Sequence, residues 1–124
     1  MQKLVLMSAS VLGALAVMIG AFGAHALKPM LESSGRLDVF ETGVKYHFFH
    51  TLLLIAIGIL MPKLQGGAAQ WAAIFTILGI VIFSGSLYAL CITGITKLGA
   101  ITPIGGLMFI LGWLMLGFAV YKSM

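Results

Sequence analysis

The stretch AAQWAAIFTILGIVIFSGSLYALCIT, residues 68–93, contains no charged side chain, and Gln70 is its only amide. As an α-helix rising about 1.5 Å per residue, it covers a hydrocarbon core of about 30 Å with length to spare. The run is too long and too uniform for a strand, and a sheet edge in lipid would leave backbone groups unpaired. It reads as a transmembrane helix. Three more apolar runs of spanning length flank it, at 4–27, 43–61 and 102–121. The second is built on Phe48–Met61 and reaches full length through Gly43, Val44 and Tyr46. The expected architecture is one domain, residues 1–124, an all-α antiparallel four-helix transmembrane bundle.

Composition agrees. Of 124 residues, 61% are apolar and 8% charged, with a mean hydropathy of +1.16. A water-soluble domain carries about a quarter charged residues, and disorder needs low hydrophobicity and high charge. Neither class fits. The seven cations, Lys3, Lys28, Arg36, Lys45, Lys63, Lys97 and Lys122, are never adjacent, so nucleic acid is set aside as a partner. A thin basic excess suits anchoring at anionic headgroups. Cys91 is the only cysteine and cannot form an internal disulfide.

The connections carry turn and cap signals. Lys28-Pro29 stops the first helix, residues 32–36 form a short polar loop, and Pro62-Lys63 with Gln65-Gly66-Gly67 makes the second turn. Lys97-Leu98-Gly99 makes the third, and Thr102-Pro103 opens the last helix as N-cap and first helical residue. Trp71, Trp113 and Tyr121 are expected near span ends, at headgroup level. The run before Ala24-His25-Ala26 exceeds the 7–15 residues or so of a secretory signal core, which predicts a retained helix. Lys3, Lys63 and Lys122 face Lys28, Arg36, Lys97 and Lys45 across the membrane, a balance that leaves orientation open.

Several strings are more specific: GAFGAHALK at 20–28, TGVKYHFFH at 42–50, FSGSLY at 83–88, LGAITPIGG at 98–106, and Gly112-Trp113. In this order they resemble the small four-helix membrane family catalogued as domain of unknown function 423, whose eukaryotic members are called transmembrane protein 256. The resemblance covers nearly the whole chain. It implies a multi-pass protein of the bacterial plasma (inner) membrane and brings no agreed activity. His25 and His50 fit the family pattern, whereas Lys45 and His47 fall where amides are usual.

In an antiparallel bundle, one membrane half gathers His25, His47, His50, Ser84, Ser86, Tyr88, Cys91, Thr93 and Thr102. Intramembrane polar groups are costly and turn inward, so the asymmetry predicts a polar pocket open to the face of the first and third loops. At 100° per residue, Gly43, Tyr46, His47, His50, Leu54 and Gly58 share an arc of the second span. Glu41 and Lys45 lie opposite, spaced for a headgroup-level ion pair. Ser84, Tyr88 and Cys91 form one face of the third span. The expected ligand-binding residues are His50, Tyr88 and Ser84, with His47 and His25. His50 is expected to be neutral and to reach the tyrosine or serine hydroxyl. The bland alternative is that these groups only hold helices together, at about 0.6 kcal/mol per contact.

No metal site is expected: His47 and His50 can face one ion at i, i+3, but no acid shares their face and four ligands are the rule. No cofactor is expected either. The three acids lie between Glu32 and Glu41, away from any serine–histidine pair, so the reading is non-enzymatic. Ala9, Gly13, Ala16, Gly20 and Ala24 form a small stripe on the first span, and Gly105, Gly112 and Ala119 repeat by sevens on the fourth. Such stripes let helices approach closely, within the bundle or between copies. The function that emerges is a small membrane protein binding a lipid or small amphipathic ligand in a half-membrane pocket, with membrane lipid as its expected partner. The alternatives are an interaction subunit of a larger complex, through a partner membrane protein, or a minimal transporter acting as a homo-oligomer.

Overall fold

The computed structural model describes residues 1–124 and contains no strand. Six α-helices follow in order: α1 (Gln2–Ala24), α2 (Lys28–Ser33), α3 (Leu37–Leu60), α4 (Ala68–Gly79), α5 (Gly85–Thr93) and α6 (Thr102–Ser123). A π-helical segment, Ile80–Ser84, joins α4 to α5 in one rod. Single 3₁₀ turns sit at Met61–Lys63 and Thr96–Ala100. Four helical runs are long and apolar enough to cross a membrane. The chain is an all-α four-helix membrane protein.

Several boundaries differ from the sequence reading. The second span starts at Leu37 rather than Gly43, so Asp38, Glu41 and Lys45 sit on its first turns. Glu41 and Lys45 are good helix formers and Asp38 suits a first turn, so hydropathy alone places the helix start too late. The expected polar loop is partly α2, with Pro29 in its first turn. Thr102 is the first residue of α6, not its cap. Its hydroxyl instead meets Ser86 Oγ at 2.6 Å, tying α5 to α6.

Small residues set the packing. α1 lies against α3, α4 lies against α6, and α3 runs beside the whole third span. Near the chain termini, Val5 and Ala9 pack with Leu53, Leu54, Ile57, Ala72 and Ala73. At the other face, Leu31, Phe40 and Cys91 form a smaller core that α2 closes. The small stripe of α1 is spent inside the bundle: Ala9 and Ala16 are fully buried. A Cβ on Gly13 would meet Thr51 at 3.5 Å, and one on Gly20 would meet Val44 at 3.3 Å. The closest approach to another segment's backbone is at Gly105, where any Cβ would overlap the backbone of Phe83 in the π segment. Large apolar side chains such as Leu4, Val11, Phe22, Leu52 and Leu114 point outward, as a lipid-facing surface requires.

Candidate functional site

The hydroxyl face of the third span does meet α3, through its backbone and through His47. Ser84 Oγ donates to the Gly43 carbonyl at 2.7 Å. Tyr88 lies over Gly43, where a Cβ would come within 3.0 Å of its ring. Its hydroxyl meets His47 Nδ1 at 2.9 Å. Cys91 Sγ reaches the Arg36 carbonyl at 3.7 Å. The expectation that His50 would reach Tyr88 or Ser84 is therefore corrected. Gly43 and His47 stand one helical turn apart on the ridge that faces α5, and His50 is rotated away from it towards α6.

His50 is 6% exposed and fully hydrogen-bonded. Its Nδ1 lies 2.8 Å from the Tyr46 carbonyl. A carbonyl only accepts, so the proton is on Nδ1. Nε2 then offers its lone pair to the Trp113 indole N–H, at 3.1 Å. One neutral tautomer satisfies both contacts. The Phe109 ring stacks on the imidazole, with centroids 3.6 Å apart and planes at 15°. His50 is thus a clasp between α3 and α6, with no ring nitrogen free for a ligand.

Beside this clasp runs a groove of about 650 Å³, open sideways between α3, the π segment and α6. Tyr46, His50, Phe83, Pro103, Phe109 and Trp113 shape it, and Gly106 adds no side chain to it. From Pro103 to Trp113 the groove follows α6 for about 15 Å at about 1.5 Å per residue. That is half of a hydrocarbon core of about 30 Å. Tyr46 and Phe83 lean together at 4.7 Å, and Phe83 and Phe109 at 5.4 Å.

Of the five residues singled out from sequence, only His50 lines this groove. Tyr88 and Ser84 belong to the neighbouring α3–α5 contact. His47 is buried beside them, and its Nε2 has no hydrogen-bond partner. His25 is exposed at the end of α1 and joins neither group. No three His, Cys, Asp or Glu side chains gather closely enough to hold a metal ion.

Tyr46, Phe83, Phe109 and Trp113 were missed as site residues. The span-end position expected for Trp113 is corrected: it sits about 16 Å along α6, near mid-membrane. An indole so far from water needs an acceptor. A tryptophan in mid-span was the signal available.

Comparison with known proteins places the chain. The family model described as protein of unknown function (DUF423) matches residues 19–106. The UPF0382 membrane protein YwdK of Bacillus subtilis is 48% identical over 87% of this chain and 88% of its own length. The UPF0382 membrane protein SH2409 of Staphylococcus haemolyticus is 48% identical over 90% of this chain and 93% of its own. The UPF0382 inner membrane protein YgdD of Escherichia coli K12 is 34% identical over 90% of this chain and 85% of its own. No solved structure matches. Four apolar spans and relatives named as membrane and inner membrane proteins make this a multi-pass protein of the bacterial plasma membrane, and the chain belongs to the DUF423 family of membrane proteins of unknown function.

Proposed function

We propose that this protein is a non-enzymatic membrane protein that binds one lipid or small amphipathic molecule in the lateral groove between α3 and α6. The observation that carries the reading is the groove itself. Its volume of about 650 Å³ falls within the range of about 300–1,000 Å³ typical of small-molecule sites. Its length matches one leaflet, and its walls are aromatic. The polar atoms of the clasp, His50 and the Trp113 indole, bond each other, so an apolar chain entering the groove leaves neither unpaired. A tail lying there would reach the clasp, with its polar end beside Pro103 at the face of the third loop. His50 acts in this reading as a positioning residue that holds Trp113 as the inner wall.

Gly106→Phe is the direct test. A Cβ at Gly106 meets nothing closer than Phe83 Cδ2 at 3.9 Å, so the substitution fills the groove without forcing the helices apart. Native mass spectrometry of gently extracted protein is expected to show one lipid-sized molecule more per chain in the parent than in Gly106→Phe, at unchanged helicity. Equal retention by both proteins would refute the proposal.

A further inference from the structure

A second cavity, of about 290 Å³, lies where the last turns of α1 cross the first turns of α3. Its α3 residues, Leu37, Phe40, Glu41, Val44 and Lys45, are turned roughly half a revolution from Tyr46 and His50 at 100° per residue. The crevice is therefore separate from the aromatic groove and does not depend on the function proposed for it. Gly20, Gly23 and Ala24 form its α1 side, which leaves room because they present no bulk. Gly23 lies close against the Phe40 ring, which a Cβ there would have to displace.

The mouth carries Lys28, Glu41 and Lys45. Glu41 and Lys45 are spaced to pair across a helical turn, yet they do not. The chain's one ion pair is Lys28–Glu32, at 3.9 Å. Both signs of charge thus stand at headgroup level around a half-enclosed space, with Glu41 and Lys45 lacking a counter-charge from the protein. The expected Glu41–Lys45 bridge is corrected accordingly.

We propose that this crevice holds the headgroup of one phospholipid that carries both a phosphate and an ammonium group. The phosphate sits between Lys45 and Lys28, the ammonium donates to Glu41, and the acyl chains lie outside along α1. A headgroup with a phosphate but no ammonium could occupy the lysines but would leave the Glu41 carboxylate without a counter-charge. A quaternary ammonium has no N–H for the carboxylate to accept. The size agrees, because about 290 Å³ is at the lower limit for a complete ligand and suits a headgroup alone.

The test uses the full-length Gly106→Phe chain, whose filled aromatic groove contributes no lipid to the count, reconstituted in phosphatidylcholine vesicles doped with either phosphatidylethanolamine or phosphatidylglycerol, with bound lipid counted by native mass spectrometry. One phosphatidylethanolamine per chain is expected in preference to the other two. Each lysine near a lipid phosphate is worth about fivefold in affinity. Lys45→Gln should therefore weaken retention about fivefold, and adding Lys28→Gln should weaken it further by a smaller factor, because Lys28 also pairs with Glu32. Glu41→Gln should transfer the preference to phosphatidylglycerol. Ala24→Leu, made at an exposed position that borders the crevice, should abolish retention with all charges intact. Equal retention of the three lipids would overturn the proposal, as would an equal loss from Lys97→Gln, which lies outside the crevice. Displacement of the lipid by millimolar inorganic phosphate would overturn it too, by marking a site for free anions.

Discussion

Replacing His50 with Leu and Trp113 with Phe, singly and together, measures the clasp between α3 and α6. Trp113→Phe keeps a ring in place and removes only the indole N–H that donates to His50 Nε2 at 3.1 Å. Polar bonds between transmembrane helices average about 0.6 kcal/mol and reach about 1.7 kcal/mol. The upper half of that range is expected here, because both ring nitrogens of His50 are engaged and the indole has no water within reach. His50→Leu should cost more. It loses the same bond, strands the indole N–H, and removes the stacking on Phe109 at 3.6 Å, which adds about 0.5–1.5 kcal/mol. The sum is about 1.5–3 kcal/mol. The double variant should be less destabilised than the two singles added, by a coupling of about 1–1.7 kcal/mol. Reversible unfolding in mixed micelles, followed by far-UV circular dichroism so that loss of a tryptophan does not matter, gives the four stabilities. Additivity within about 0.3–0.5 kcal/mol would refute the clasp.

Three further outcomes follow from the packing. Gly105→Ala places a methyl group against the Phe83 backbone, which cannot yield as a side chain can, so a loss of about 1–3 kcal/mol or failure to fold is expected from thermal unfolding. His47→Gln keeps a partner for the Tyr88 hydroxyl and should be nearly neutral, whereas His47→Leu strands that hydroxyl and should cost about 1–3 kcal/mol in the same assay. Reporter fusions at Met1 and Met124 should label one side of the membrane, since four spans return the chain to its starting face.

Much of the fold was legible because lipid imposes a simple demand: a continuous apolar helix of set length. Residues 68–93 announced themselves in this way, and the glycine- and proline-marked turns separated the spans. Helical geometry also identified the Ser84–Tyr88–Cys91 face and the small stripe of α1. Three things stayed hidden. The π segment Ile80–Ser84 leaves no mark in hydropathy, because widening one turn changes hydrogen-bond pairing and not composition. The choice between His47 and His50 depended on how α3 is rotated against two neighbours, and an arc wide enough to hold both could not decide it. Trp113 was misassigned because a tryptophan near lipid suggests the interface, while its acceptor lay on another helix, 63 residues away. The charged first turns of α3 were missed for a related reason: a helix extends beyond the hydrocarbon when its backbone bonds continue into the headgroup layer.

The most direct measurement of ligand binding in the groove is photo-crosslinking with a phospholipid bearing a diazirine midway along one acyl chain. The full chain in vesicles is irradiated, and the labelled residues are mapped by peptide mass spectrometry. Label concentrated at Phe83, Leu107 and Ile110, around the groove of about 650 Å³, and lost in Gly106→Phe, is the expected result. Label spread evenly over the outward faces of α1, α3, α4 and α6, and unchanged in Gly106→Phe, would contradict it.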